Sequence, residues 1–215
     1  MTFETFKKSI SKIKNFDLLG EDAHVKMSPL FRREELKRLD FSTKKGKNAG
    51  VLVLFYPDKQ NQTKLVLILR KTYKGVHSAQ VGFPGGKEEN EDDSLLDTAL
   101  REAYEEVGVL PSAVEIIKPL SKIYIPPSNF WVYPFLGITD HTPNFVRQET
   151  EVEKILEIDV DNFLDSKSLI EKTLSTSYAE NVKVPAFFLN EYVVWGATAM
   201  MLSEVKIFLE RALKT

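Results

Sequence analysis

Glu102, Glu105 and Glu106 are the residues in this chain whose types and spacing suggest chemistry most directly. They sit in the segment SLLDTALREAYEEVG, residues 94–108. At about 100° per residue on a helix, Leu96, Ala99, Leu100, Ala103 and Val107 form one apolar stripe. The three glutamates share another arc, and their offsets of three and four residues make them neighbours. Neighbouring like charges on a helix cost about 0.2–0.5 kcal/mol per pair. They also stand in the last turn, where the helix dipole disfavours negative charge. A solvated acidic face is the ordinary reading of such a helix. A divalent cation bridging the carboxylates is the chemical one, because hard cations favour oxygen ligands and often join carboxylates to phosphates.

The loop before this helix shifts the balance toward chemistry. It reads His77-Ser-Ala-Gln-Val-Gly-Phe-Pro-Gly-Gly-Lys87. Pro84-Gly85-Gly86 marks a tight turn, and glycines let backbone groups come close to phosphate or metal. Together, loop and helix resemble the Nudix hydrolase signature, G-x5-E-x7-R-E-U-x-E-E-x-G-U with U aliphatic. The match is Gly86, then Asp92, then Arg101-Glu102-Ala103-Tyr104-Glu105-Glu106-Val107-Gly108-Val109. Asp92 stands for the first glutamate, and one extra residue separates it from Arg101. Upstream, Leu65–Arg70, His77-Ser-Ala-Gln80 and Phe83-Pro-Gly-Gly86 are similar to the coenzyme A diphosphatase branch of that family, with Gly75 and Ala79 in place of its arginine and glycine. Ser128-Asn-Phe130, Tyr133-Pro-Phe135 and Trp195–Ala199 resemble the same branch.

The resemblance implies an α+β fold, an α/β/α sandwich with a mixed β-sheet. It implies hydrolysis of the diphosphate of coenzyme A or its derivatives to 3′,5′-ADP and 4′-phosphopantetheine by a metal-activated water. Mg²⁺ or Mn²⁺ would be held by Glu102 and Glu106, with Glu105 and the carbonyl of Gly86. Arg101 would hold the glutamates, and Glu105 and Glu151 are further catalytic candidates. Glu149 and Glu153 compete with Glu151. Arg70, Lys71, Gly85 and Lys87 are the candidates for binding a small-molecule nucleotide, with Lys74 nearby. His77 is a lone loop histidine, and Trp195 and Phe130 read first as core aromatics. Two other readings stay open: another nucleoside diphosphate-linked substrate such as ADP-ribose, and a non-catalytic nucleotide-binding module.

These residues need a scaffold, and the chain can build one. It has 215 residues, 43% of them apolar, with 14 Phe, enough for a sizeable core. With 29 basic and 31 acidic residues the net charge is −2, which gives no bulk attraction to nucleic acid or anionic membrane. There is no cysteine, so thiolate sites and disulfides are excluded. No stretch has the roughly 18 apolar residues that span a bilayer, and the start does not read as a secretory signal. A cytoplasmic protein is expected, and a homodimer is compatible with the sequence.

Residues 1–47 read as an N-terminal helical arm and 48–215 as the hydrolase domain. Phe3, Phe6, Ile10 and Ile13 predict an amphipathic helix; residues 20–48 predict an irregular arm with a short helix near Glu34–Leu39. Gly50–Tyr56 and Lys64–Leu69 predict a buried β-hairpin around a polar turn. A short strand is expected at Gln80–Phe83. Others follow at Glu115–Leu120, Ser121–Ile125, Trp131–Ile138 and Glu153–Ile158. A helical turn is expected at Val160–Leu164, a hairpin around Asn190, and a helix over Thr198–Leu213.

Overall fold

The structure is a computed structural model that describes residues 1–29, 44–71, 80–174 and 181–214. Its centre is strand β1 (Lys47–Pro57). Val51, Val53 and Phe55 enter one hydrophobic cluster, and Leu52, Leu54 and Tyr56 enter another. Side chains on a strand alternate between faces, so this apolar run is buried from both sides. β2 (Thr63–Arg70) follows after a turn in which Asp58 accepts hydrogen bonds from the N–H groups of Gln60 and Gln62.

The expected hairpin forms, but only at its closed end. β1 and β2 pair antiparallel at Phe55–Leu65, Tyr56–Lys64 and Pro57–Thr63. Beyond that they diverge. β3 (Val81–Gly82) takes the freed edge of β2, and β4 (Gly85–Lys87) takes the freed edge of β1. The Phe83-Pro84 corner between them is stitched to β1 by the Leu52 N–H, which donates to the Pro84 carbonyl.

On its other edge β1 runs parallel to β7 (Phe130–Ile138), which also pairs with β5 (Glu115–Pro119) and β6 (Ile123–Ile125). β2 pairs on its outer edge with β8 (Val152–Asp159). The sheet is therefore mixed. A second sheet of three strands joins β9 (Leu169–Leu174), β10 (Val182–Leu189) and β11 (Tyr192–Val194). The turn at Asn190 is as expected. β9 was not expected, because most of its residues are exposed and carry no apolar alternation.

Helices cover both faces of the main sheet. On one side lies α3 (Leu95–Val107), which packs Ala103 and Val107 on Leu52, Leu54 and Ile68. On the other lie α1 (Phe3–Ile10) and α5 (Gly196–Lys214), with Phe6, Ile10, Leu202 and Phe208 in one cluster with Phe55 and Leu67. The expected turn at 160–164 is helix α4 (Val160–Leu164). The arm contributes a further short helix, α2 (Glu21–His24), that the sequence reading did not anticipate. As far as it is described, the arm is built into the core of residues 48–215: Phe3, Phe6, Ile10, Ile13 and Met27 share its cluster. The helix expected near 34–39 lies outside the described residues. No described helix is long and apolar enough to cross a membrane.

Candidate active site

The acidic helix is fixed at both ends. The Ser94 hydroxyl accepts from the Asp97 N–H at 3.2 Å and donates to its carboxylate at 2.7 Å, the expected cap. Gly108 closes the helix in the left-handed conformation at φ 76°, as a terminal glycine does. Of the predicted stripe, Ala99, Ala103 and Val107 are fully buried and Leu96 and Leu100 only partly. The arc of glutamates is not uniformly exposed. Exposure of the side chain rises from 1% at Glu106 through 14% at Glu102 to 45% at Glu105.

Glu106 is buried because the Pro-Gly-Gly corner lies against it. Its Oε2 accepts from the Gly85 N–H at 2.8 Å. Its Oε1 faces the Arg70 guanidinium at 3.4 Å but makes no hydrogen bond among the described residues. Burial pushes the Glu106 carboxyl up to about 7, against the opposing pull of Arg70 and the Gly85 N–H, and Glu102 and Glu151 push the same way. Arg70 also donates to the Gly85 carbonyl at 2.6 Å, so it ties the corner to the helix.

Glu102 packs on the next glycine. A Cβ built on Gly86 would stand 2.3 Å from Glu102 Oε1, so any side chain there would displace the carboxylate. Gly85 is constrained differently. Its φ is +149° and a Cβ would meet the Gly50 carbonyl oxygen at 2.4 Å. One glycine serves the sheet and the other serves the glutamate. Burial raises the Glu102 pKa, and Arg101 opposes the rise.

Arg101 is the hub of the exposed half. Its Nη1 donates to Glu102 at 3.1 Å and lies 3.5 Å from Glu105. Its Nε and Nη2 grip both oxygens of Asp92 at 2.8 and 3.0 Å, and Nη2 also reaches the Lys87 carbonyl at 3.2 Å. Asp92 further accepts from the Thr98 hydroxyl and the Glu89 N–H. The Arg101 bonds hold the Asp92 carboxyl well below the usual carboxylate range. Asp92 therefore anchors the arginine that orients the glutamates, and its oxygens are spent on that task.

Glu151 arrives from the far side. The chain leading into β8 is laced to the end of α3, with the Val146 N–H on the Val107 carbonyl and the Gln148 N–H on the Glu106 carbonyl. The Lys71 N–H then donates to the Glu151 carbonyl at 2.8 Å. The charge of Glu151 acts on both Glu102 and Glu106. Glu151 is exposed, and so are its competitors: Glu149, which faces Arg147, and Glu153 on β8.

Asp92, Glu102 and Glu105 thus stand around the Arg101 guanidinium and Glu106 faces that of Arg70, with the charge of Glu151 acting on Glu102 and Glu106. Among the described residues no three acidic or histidine side chains are already gathered in ligating geometry. Glu102 and Glu105 turn to Arg101, and Glu106 turns to Gly85 and Arg70. The donor set nevertheless fits a divalent cation. It is all oxygen, it is negative in excess, and its most buried member has an oxygen with no hydrogen bond among the described residues, a costly condition inside a protein.

The corner opens into a cavity of about 510 Å³. Arg70, Gly85, Gly86 and Lys87 line it, whereas Lys71, Glu102, Glu105, Glu106 and Glu151 are not among its lining residues. Lys74 and His77 lie outside the described residues. Phe130 and Trp195 both line this cavity and are only partly buried, and Phe130 also packs against the core as read from sequence. Tyr124 and Trp131 stand with ring centroids 5.2 Å apart on another wall. The Lys122 ammonium sits 4.7 Å above Trp131 and 5.8 Å from the Tyr133 ring, a cation–π arrangement. Lys122, Tyr124 and Trp131 escaped the sequence reading. The only available signal was the aromatic run near Ser128-Asn-Phe130.

The NUDIX domain profile matches residues 45–175. A peroxisomal coenzyme A diphosphatase, ndx-8 of Caenorhabditis elegans, is 31% identical over 82% of this chain and 77% of its own length. The Nudix hydrolase NudL of Enterobacter sp. is 31% identical over 69% of this chain and 77% of its own. A crystal structure of a MutT/nudix family protein from Enterococcus faecalis aligns with a TM-score of 0.47 at 18% identity, over 91% of this chain and 73% of that one. With the signature residues converging on one corner and the profile covering most of the chain, this protein belongs to the Nudix hydrolase family.

Proposed function

We propose that this Nudix pyrophosphohydrolase cleaves the diphosphate of coenzyme A or its derivatives, giving 3′,5′-ADP and 4′-phosphopantetheine. The observation that carries the reading is the pairing of Glu106 and Glu102 with Gly85 and Gly86, two glycines that line a cavity large enough for a small molecule. Small-molecule sites run from about 300 to 1,000 Å³. The 31% identical diphosphatase supports the choice of substrate.

Nudix enzymes typically use divalent metal ions. Glu102 and Glu106, with Glu105 and the Gly86 carbonyl, would hold Mg²⁺ or Mn²⁺ here. When bound, such an ion lowers the pKa of water and offsets phosphate charge. The chain's own groups do the positioning. Arg101, anchored on Asp92, sets Glu102 and Glu105. Arg70 sets Glu106 and the Gly85 carbonyl, and it lines the cavity where it can meet a phosphate oxygen. Lys87 and Lys122 add positive charge to the cavity wall, which suits a substrate with several phosphates. Glu151, whose charge acts on Glu102 and Glu106, is the second candidate proton acceptor beside Glu105.

The test is product identification. Incubation with coenzyme A and Mg²⁺ or Mn²⁺ should yield 3′,5′-ADP and 4′-phosphopantetheine, and chelation with EDTA should stop it. Coenzyme A left intact while ADP-ribose is cleaved would replace this substrate with the other nucleoside diphosphate reading. No turnover of any diphosphate would favour the binding-module reading.

A further inference from the structure

Three cross-strand pairings lay one row of side chains across the sheet where it borders the cavity. Ala49 of β1 pairs with Lys87 of β4 on one edge and with Val132 of β7 on the other, and Val132 pairs with Ile123 of β6. Residues directly opposite each other in a ladder share a face, so the four side chains point the same way. That face is the one covered by α1 and α5, because Ala49, Val132 and Ile123 belong to the cluster of Phe6 and Phe208. Gly50, the next residue of β1, faces the other side, where an added Cβ would meet the Leu95 carbonyl oxygen of α3 at 2.2 Å. All four residues of the row line the cavity.

The row has a direction. It begins with a cation next to Gly86 and runs over three strand spacings, about 14 Å, on Ala49, Val132 and Ile123. Met200 and Met201 of α5 line the same cavity. The arm brings polar residues to the lining, Glu21, His24 and Ser28, but the row itself has no hydrogen-bonding side chain past Lys87. A sugar or nucleobase laid along it would give up hydrogen bonds to water without replacement, which is costly. An aliphatic chain would lose nothing. Ala49 is the critical point of the row. It has the smallest side chain of the four, stands between Lys87 and Val132, and is 7% exposed. A larger side chain there would rise between the cationic end and the aliphatic remainder.

We infer that Ala49 is a specificity-determining residue. Its small side chain lets the non-nucleotide half of the substrate leave the diphosphate near Lys87 and cross the sheet to Ile123 as an extended, largely aliphatic arm. This rests on the cavity being the substrate site of the pyrophosphohydrolase, and it adds which half of the substrate lies on the sheet.

The experiment uses the full chain with Mg²⁺ and two probes, the methyl and octyl esters of ADP on its terminal phosphate. They share the nucleoside diphosphate and differ only in the arm; hydrolysis splits each into AMP and an alkyl phosphate. The wild type should show a KM about tenfold lower for the octyl ester, the gain from burying roughly two methylenes. Ala49→Leu should bring the ratio of the two KM values close to one. Ile123→Thr, at the far end of the row, should narrow it as well, and it reads the same ratio should the leucine overpack β1. Equal KM values in the wild type, or an octyl advantage that survives in both variants, overturns the inference. So does a rise in KM shared equally by both esters, because the row would then hold the nucleotide half. Coenzyme A, assayed beside them, reports on the substrate proposed above: its refusal with the ester pattern intact overturns that substrate alone. No cleavage of any of the three overturns both.

Discussion

Replacing Gly86 by alanine separates what the glycine corner does for the fold from what it does for chemistry. The new Cβ would lie 2.3, 2.4 and 2.6 Å from Oε1, Cδ and Oε2 of Glu102, whereas ordinary contact begins at 3.4 Å. The carboxylate must retreat by about 1.1 Å, the difference between 3.4 and 2.3 Å. That motion is cheap for stability, because the clashing atoms end a flexible side chain and the backbone stays put. It is expensive for activity, since a misplacement of about 1 Å at a reacting centre costs roughly 10²-fold in rate, or about 2.7 kcal/mol of barrier. Gly85→Ala is the contrasting variant. Its Cβ would press on backbone, 2.4 Å from the Gly50 oxygen and 2.6 Å from Val51 Cα, at a φ of +149°. Steady-state kinetics with Mg²⁺ and thermal melting, run on both, should show a folded, nearly inactive Gly86→Ala and a destabilised Gly85→Ala. A folded Gly86→Ala protein whose kcat stays within about threefold of wild type would refute the claim that Glu102 must sit against Gly86.

Glu106→Gln should lower turnover by at least about 10²-fold while preserving the Gly85 contact through its amide oxygen. Because the folded carboxyl is raised to about 7 from 4.5, its stabilising contribution is present below pH 4.5 and lost as pH rises through 7. In EDTA at pH 8 the glutamine variant should therefore melt no lower than wild type, and the difference should shrink in acid; a clear drop at pH 8 would contradict the burial argument. Asp92 has the opposite sign. Its lowered pKa gives stability that is present above 3.8 and lost as pH falls below it. Asp92→Asn should cost about 2 kcal/mol, a fall in Tm of about 4–8 °C, measurable by calorimetry at pH 7. The same variant should also lose activity, because Arg101 would no longer be held on Glu102.

The helix was legible because several local signals agree on it: a 3.6-residue apolar period, a serine cap, a terminating glycine and a fixed arginine–glutamate spacing. The two central strands were legible for a related reason, since burial on both faces leaves an unbroken apolar run. What local pattern cannot carry is pairing between distant segments. The parallel alignment of β1 with β7 and the splitting of the hairpin by β3 and β4 have no counterpart within a short window of sequence. β9 was missed because a strand exposed on most positions shows no alternation. The gradation of burial along Glu106, Glu102 and Glu105 was also invisible, because a helical wheel shows direction but not what lies opposite. The role of Asp92 needed the fold as well, because one inserted residue disguised its reach to Arg101. The aromatic wall required distant parts of the chain to meet, Tyr124 and Trp131 from β6 and β7 and Trp195 from just before α5.

The fork in β1 has a consequence for how the protein tolerates change in length. Gly50 is paired with Gly86 and Phe55 with Leu65 on the same edge of one strand. The strand acts as a ruler whose interval between residues 50 and 55 sets how far the glycine corner stands from the closed end of the hairpin. One inserted or deleted residue in that interval would turn the side chains to opposite faces and slide the corner off Glu102 together. The turn at Asp58–Gln62 carries no such constraint on the corner, because it lies beyond the closed end. Designers grafting loops or circularly permuting this chain should work at that turn and leave the interval from 50 to 55 untouched.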